Sequence, residues 1–258
     1  MRVLALDTTT RAGSVALVED DRIIAQRRGD PALTHAERLP RDILSLLEAH
    51  GTSPAGVDLF AVASGPGSFT GLRVGIATIQ GFAFVQRRRV AAVPALEALA
   101  QLAGCDLAAG AAVGVWMDAQ RRDVFSALYR LTSNPPFDPG RLVEIEGPSV
   151  GDPATTLGRW ERIVDGEIVF VGDGAEQYGD VIRSRQSDAR TIDAAPLAGA
   201  IGLMAVARAG AGGVVDPADV RPLYVRRPDA EVERDRRVLV TRDTKDTRGT
   251  EDTTAGGE

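Results

Sequence analysis

The sequence predicts an α/β protein built from two similar halves. Short apolar strands alternate with amphipathic helices along most of the chain, which is the pattern of this class. The stretch LDTTTRAGSVAL at 6–17 reads as a strand, an aspartate, a short turn and a returning strand, and MDAQRRDVFSAL at 117–128 repeats that pattern. The repeat favours an internal duplication, with a chance match as the alternative. A length of 258 residues with 44% hydrophobic residues allows a sizeable core.

The first half, residues 1–104, is predicted to begin with three strands. VLALD at 3–7 is apolar throughout, as expected for a buried strand. GSVALVED at 13–20 and RIIAQRR at 22–28 follow, and a short acidic turn around Asp20 joins them. We therefore expect a three-stranded meander.

A helix is predicted over 35–50. Thr34 and Glu37 have the spacing of a capping box, and Gly51 is a plausible stop. Pro40 lies inside the helix and is expected to kink it or to mark a late start. The apolar stripe of this helix consists of Leu39, Ile43, Leu46 and Leu47.

The loop in SGPGSFTGLRVGIA (64–77) joins an apolar strand at 57–65 to a helix predicted over 70–86. A Walker loop would need a lysine, but Gly71 is followed by Leu72 and Arg73, and the glycine spacing also excludes a dinucleotide fingerprint. A sharp turn is favoured, with an anion contact at the helix N-terminus as the alternative. The predicted loop residues are Gly65, Pro66, Gly67, Ser68 and Thr70.

The helix over 70–86 has apolar or small residues on nearly all sides. Gly71 and Gly75 lie four apart on one face, and Thr78 and Phe82 extend this small-residue strip. Such a helix is buried on nearly all sides. The second side is either a subunit interface or buried within the chain.

A short strand over 89–93 and a helix over 94–103 complete the first half, and a linker follows around 104–110. The second half is assigned to residues 110–228, and its last helix is a candidate for packing back on the first half. In this half we predict strands at 111–118, 123–131, 142–145 and 167–172 and helices near 153–161, 175–185 and 196–210.

The last segment, residues 229–258, is predicted to be a disordered acidic tail. Apolar periodicity stops there, and nine acidic residues stand against six basic ones.

For the whole chain a net charge of −6 gives no global attraction to nucleic acid or anionic lipid. A single cysteine, Cys105, excludes an intramolecular disulfide and a cysteine metal site. No signal peptide or membrane span is recognised, so a cytoplasmic protein is expected.

Asp7 and Asp118 each end an apolar strand directly before a tight turn. Aspartates in such positions cap turns, and in actin-like ATPases and sugar kinases they lie near the metal of the nucleotide. Both interpretations stay open, although DTTTRAG at 7–13 lacks the glycine that usually follows the aspartate in phosphate loops of that superfamily. The histidines, His35 and His50, lack the spacing of a helical metal site, and no Ser/His/Asp motif is visible.

Seven stretches resemble the TsaB (YeaZ) family, a bacterial subunit of the machinery that makes threonylcarbamoyladenosine in tRNA. The resemblance covers residues 1 to about 227, and GPGSFTGLR is its most specific part. The stretches are LALDTT (4–9), THAERLP (34–40), GPGSFTGLRVGIATIQG (65–81), VPALEALA (93–100), MDAQRRDVF (117–125), GDGA (172–175) and ADVRPLYVR (218–226).

The resemblance implies an actin-like (ASKHA) fold of two duplicated α/β domains with mixed sheets. It implies a non-catalytic, dimerising subunit that supports a TsaD-type catalytic partner, which transfers a threonylcarbamoyl group to the adenosine next to the anticodon. A TsaE-type ATPase joins the assembly, a homodimer also forms, and tRNA is met only through the complex. No cofactor or metal is expected on this chain alone, whereas ATP use is expected of the assembled complex.

The resemblance also implies site residues. It places the partner interface on the helices over 35–50 and 70–86 and leaves only vestigial nucleotide contacts. A small-molecule kinase or ATPase and a peptidase relative are the alternative functions. The interface residues are His35, Leu39, Ile43, Leu46, Gly71, Arg73, Gly75, Thr78 and Phe82. The vestigial contacts are Asp7, Asp118, Gly172 and Gly174.

Overall fold

The computed structural model describes residues 1–226, and the predicted tail over 229–258 lies outside them. Ten strands form two five-stranded sheets. The first sheet contains β1 (Arg2–Asp7), β2 (Ser14–Glu19), β3 (Arg22–Arg28), β4 (Leu59–Gly65) and β5 (Val90–Pro94). The second contains β6 (Ala112–Asp118), β7 (Val124–Leu131), β8 (Leu142–Gly151), β9 (Ile168–Val171) and β10 (Thr191–Ile192). The helices are α1 (His35–Ala49), α2 (Phe69–Gln86), α3 (Ala95–Ala103), α4 (Pro153–Trp160), α5 (Asp173–Gln177), α6 (Gly179–Arg185) and α7 (Ala198–Gly210).

The two sheets share one mixed topology. The strand orders are β3-β2-β1-β4-β5 and β10-β9-β6-β7-β8, which become the same when β6 is placed on β1. Each central strand pairs antiparallel with the strand that follows it and parallel with a later one. The chain therefore has the two similar α/β halves that the sequence predicts.

Two helices lie between the sheets. The largest apolar cluster joins residues of α3 and α7 with residues of both sheets. A Cβ added to Gly202 would lie 2.5 Å from Cγ2 of Val18, so this glycine lets α7 approach β2 closely. The last helix predicted for the second half thus packs against the first sheet.

On the other face of the first sheet, α1 and α2 lie side by side. The Thr34–Glu37 capping box that starts α1 is confirmed. Leu39 and Ile43 of α1 and Ile79 of α2 are fully buried against Leu4 and other residues of the sheet. Burial of one such side chain contributes about 1.5–3 kcal/mol, so this stripe fixes both helices. Among residues 1–226, no helix is long and apolar enough to span a membrane.

Two predicted elements of the second half are corrected, and one strand was not predicted. The strand predicted over 142–145 runs to Gly151 and includes Pro148, a residue that an edge strand such as β8 tolerates. The helix predicted near 175–185 is two helices, because the backbone at Tyr178 (φ −107°, ψ 26°) leaves the helical region. The strand β10 was not predicted, because two residues are too few to show the alternation that identifies a strand.

Candidate functional site

A small cleft lies between the carboxyl ends of β1 and β9. Its volume is about 70 Å³, and Asp7, Thr9, Arg28 and Asp173 are among its lining residues. Asp7 ends β1 and is almost fully buried. Its Oδ1 accepts hydrogen bonds from the backbone N–H of Thr9 at 2.8 Å and from the Thr9 hydroxyl at 2.6 Å. Burial raises the pKa of Asp7 despite these bonds, and the nearby charge of Asp173 adds to the effect.

Asp173 is the cleft residue that sequence reasoning missed. It is the first residue of α5, and its Oδ1 accepts bonds from the backbone N–H groups of Asp118 and Gly174, both at 3.0 Å. Burial raises its pKa, with smaller contributions from Asp118 and Glu176. The sequence does contain a signal for Asp173, because this residue closely follows the apolar strand β9, much as Asp7 ends the apolar strand β1.

Asp118 does not line this cleft. Its Oδ1 accepts the backbone N–H of Gln120 at 2.9 Å, and its Oδ2 accepts the side-chain amide of the same residue at 2.5 Å. The turn that follows holds Gln120, Arg121 and Arg122 in left-handed conformations, with φ of 60°, 58° and 67°. Asp118 therefore caps its own turn, which is the first of the two interpretations left open by the sequence.

Close packing accounts for Gly172 and Gly174. A Cβ on Gly172 (φ 112°) would lie 2.1 Å from the carbonyl oxygen of Trp116, and one on Gly174 would lie 2.8 Å from the carbonyl carbon of Met117. Because neither position has room for a side chain, the start of α5 lies directly against β6. The structure thus gives these glycines a packing role, and a nucleotide contact for them remains only a prediction.

The loop before α2 is a sharp turn packed on the β1–β2 turn. The Gly65–Pro66 peptide bond is cis, and Gly65 adopts φ 115°. A Cβ on Gly67 would lie 2.5 Å from Cβ of Thr9, and the backbone N–H of Ser68 donates to the Thr9 carbonyl at 2.9 Å. The Ser68 hydroxyl caps α2. The free N–H groups that an anion would need are therefore partly engaged within the chain.

The small-residue strip of α2 faces the interior of the protein. A Cβ on Gly71 would lie 2.2 Å from the Thr8 carbonyl oxygen, and one on Gly75 would lie 2.2 Å from the Thr8 hydroxyl. Five of the predicted interface residues are buried within the chain, so an interface role for them remains only a prediction. These are Leu39, Ile43, Leu46, Gly71 and Gly75.

His35 is likewise engaged within the chain. Its Nε2–H donates to the Thr10 carbonyl at 3.0 Å, and its Nδ1 accepts from Nη2 of Arg38 at 2.9 Å. Arg38 is buried, pairs with Asp42 at 2.8 Å and also donates to the Ala12 carbonyl. Burial lowers the pKa of His35, and the charge of Arg38 lowers it further. Neutral, half-buried His35 thus links α1 to the β1–β2 turn, and its role as an interface residue remains a prediction.

The outer α1–α2 face, defined as Leu44, Arg73, Ala77, Phe84 and Val85, is exposed. The side chains of Phe84, Val85 and Leu44 are 77%, 72% and 48% exposed. Arg73 lies on this face, with its guanidinium 4.0 Å from the Phe69 ring centre and its Nε donating to the Tyr224 hydroxyl at 3.1 Å.

Two further predicted interface residues are only partly accessible. Phe82 stacks on Phe60 of β4, with the ring centres 6.3 Å apart, so it contributes mainly to the core. The Thr78 hydroxyl donates to the Val74 carbonyl at 2.7 Å within α2. Sequence reasoning missed Phe84 and Val85, because α2 is apolar all around and its pattern does not indicate which apolar residues point outward. It also missed Leu44, which lies outside the apolar stripe of α1.

Comparison with known proteins gives two kinds of sequence match. Residues 30–140 match the family described as "TsaD: tRNA N6-adenosine threonylcarbamoyltransferase". The chain is 33% identical over 181 residues to the "tRNA threonylcarbamoyladenosine biosynthesis protein TsaB" of Escherichia coli (strain K12), which covers 70% of this chain and 75% of that protein.

Solved structures agree with these matches. YeaZ from Pseudomonas aeruginosa superposes with a TM-score of 0.70 at 30% identity and covers 86% of this chain and 99% of its own. An activator of 2-hydroxyisocaproyl-CoA dehydratase from Clostridium difficile superposes with a TM-score of 0.51 at 12% identity, over 87% of this chain and 100% of its own. The second likeness concerns the fold alone. With the two mixed sheets, these neighbours confirm the two-domain actin-like α/β fold.

Proposed function

The chain belongs to the TsaB family, and on this premise we propose that it is a non-catalytic, dimerising subunit in the formation of threonylcarbamoyladenosine in tRNA. Its partner in this proposal is a TsaD-type catalytic subunit, which transfers the threonylcarbamoyl group to the adenosine next to the anticodon. The match of residues 30–140 to the TsaD family supports a pairing of two related chains.

The outer α1–α2 face carries this proposal. Phe84 and Val85 are more than two-thirds exposed, whereas the opposite side of α2, which includes Ile79 and Ala83, is buried in the chain. Burying an apolar side chain of this size contributes about 1.5–3 kcal/mol, so a partner that covers both residues gains a large part of its binding free energy there. Apolar residues clustered on a rigid exposed helix are typical of a protein interface.

The β1–β2 turn supports a non-catalytic role and counts against a kinase or ATPase. A phosphate loop needs free backbone N–H groups. Here the N–H of Thr9 donates to Asp7, the Thr9 carbonyl accepts from Ser68, and Gly67 packs against the Thr9 side chain. One side of the turn is thus packed against the loop before α2, and these groups of Thr9 are not available to a phosphate.

The rest of the assembly follows from the same premise. A homodimer through the outer α1–α2 face would compete with the TsaD-type partner for the same residues. A TsaE-type ATPase joins the complex and uses ATP there, while this chain alone binds no cofactor. The chain meets tRNA only as part of the complex.

The experiment compares two double variants in a pull-down with the TsaD-type partner and in a reconstituted tRNA modification assay. Phe84→Asp/Val85→Asp should weaken partner binding at least about tenfold, because two apolar side chains that the partner would cover become charged. The control Val143→Asp/Ile163→Asp changes two residues of the second half that are 54% and 49% exposed, and it should bind like the wild type. Equal binding by both variants would reject this face, and turnover by the isolated chain would reject the non-catalytic role.

A further inference from the structure

The turn after α2 carries three consecutive exposed arginines, Arg87, Arg88 and Arg89, which we call the basic turn. Arg87 is the C-cap of α2 and adopts a left-handed conformation, with φ 53° and ψ 45°. Glycine is the residue that most often holds this position, because it has no Cβ to clash. The backbone geometry therefore does not account for an arginine here.

The backbone of the basic turn is fixed on both sides. The N–H of Arg88 donates to the Ala83 carbonyl at 2.9 Å, and the carbonyl of Arg89 accepts from the N–H of Phe60 in β4 at 3.2 Å. Both Ala83 and Phe60 are fully buried. Hydrogen bonds to the buried core thus hold the backbone of the basic turn in place, and the three long side chains project from it.

The basic turn concentrates positive charge in an acidic protein. In the part of the chain that the structure describes, none of its guanidinium groups takes part in a hydrogen bond or ion pair. Asp58 and Asp216 lie on the segments that border the turn, where their carboxylates accept bonds from the backbone N–H groups of Arg2 and Ala218. Within residues 1–226, three arginines therefore stand together without an ion pair, in a chain whose net charge is −6.

We propose that the basic turn contacts the phosphodiester backbone of tRNA. Guanidinium groups bind phosphate oxygens through paired N–H bonds and release counterions from the RNA. This inference rests on the proposed function, which brings tRNA to the complex. The turn begins three residues after Phe84 of the outer α1–α2 face, so it borders the surface on which the proposed partner docks.

The test uses the complex of the full chain with a TsaD-type partner and measures binding of an unmodified tRNA transcript by fluorescence anisotropy over a salt series. Arg88→Ala/Arg89→Ala should weaken binding about tenfold at ~0.1 M salt and lower the slope of log affinity against log salt by about 2. The control Arg162→Ala/Arg190→Ala removes two exposed arginines of the second half, and it should change the affinity less than about twofold.

An equal loss of tRNA affinity in both variants, or no loss in the first, overturns the inference. A loss of partner affinity with unchanged tRNA binding by the formed complex also overturns it, because the basic turn would then contact an acidic protein surface. If the wild-type chain neither forms the complex nor supports modification, the proposed function itself fails, so the two failures are distinguishable.

Discussion

The Thr8 hydroxyl lies where a side chain at position 75 would begin, since a Cβ on Gly75 would be 2.2 Å from Thr8 Oγ1. Thr8 is fully buried in the turn between β1 and β2. This contact holds α2 against the β1–β2 turn, whose residue Thr9 lines the cleft. The small-residue strip of α2 therefore lies inside the protein. A substitution at Gly75 should therefore act on folding and not directly on a partner.

We predict that Gly75→Ala destabilises the protein by about 1–3 kcal/mol, the cost of adding a methyl group to a filled core. Urea denaturation of the purified chain measures the change. Partner binding by the fraction that stays folded should be unchanged, because the new methyl group does not reach the surface.

Gly81→Ala is the matched control in the same helix. Gly81 is exposed, and a Cβ there would meet nothing within 4 Å. Alanine favours a helix over glycine by about 0.8–1 kcal/mol, so this variant should be slightly more stable than the wild type. Similar stability for both variants would contradict the packing assigned to Gly75.

A second prediction concerns the buried carboxylate of Asp7. Its pKa is raised in the folded protein, so the folded state binds the proton more tightly than the unfolded state. The contribution of Asp7 to stability is present below the unfolded pKa and is lost as the pH rises through the folded pKa. Asp7→Asn should therefore stabilise the protein at pH 7 by about 1–2 kcal/mol, the order of the cost of burying an incompletely paired polar group.

Denaturation at pH 7 and at pH 3.5 checks this prediction, because the advantage of Asp7→Asn should shrink strongly at the lower pH, where the wild-type carboxyl is protonated in the folded state and more than half protonated in the unfolded state, whose pKa is near 3.8. The exposed Asp188→Asn is the control, with no change expected at either pH. The proposed function adds a further outcome: Asp7→Asn should retain tRNA modification in the reconstituted complex. A lost activity with intact folding would assign Asp7 a catalytic role and contradict the proposal.

Much of the fold could be predicted from local signals. The capping box at Thr34 and Glu37 fixed the start of α1, and the glycine-rich loop after β4 marked the start of α2. The strand–aspartate–turn pattern identified both central strands. These features follow from backbone preferences over a few residues, which a single sequence contains.

The site was harder to predict, because it depends on contacts between distant segments. Asp173 and Asp7 line the same cleft only because the fold brings the ends of β9 and β1 together. The two residues are far apart in the sequence, and their spacing does not indicate that they are neighbours. His35 was assigned to the surface, although Thr10 and Arg38 engage both of its ring nitrogens. In α2, apolar or small residues occur on nearly all sides, so the pattern does not indicate which of them are buried within the chain.

The last prediction concerns acid sensitivity through His35. Its pKa is lowered in the folded protein from the ordinary value of 6.5, because burial and the charge of Arg38 disfavour the protonated ring. The unfolded state therefore binds the proton more tightly. Stability should be fully present above pH 6.5 and should fall below it, by up to about 1.4 kcal/mol per pH unit for one proton, until the folded pKa is reached.

The His35→Gln variant tests this dependence. Glutamine does not titrate, and its amide can donate to the Thr10 carbonyl, so the part of the slope between pH 7 and pH 5 that is due to His35 should disappear in urea denaturation curves. His50→Gln, at the exposed end of the same helix, should keep the wild-type slope. If His35→Gln keeps the wild-type slope as well, burial and the charge of Arg38 do not lower the pKa of His35 in the folded protein, and the prediction is contradicted.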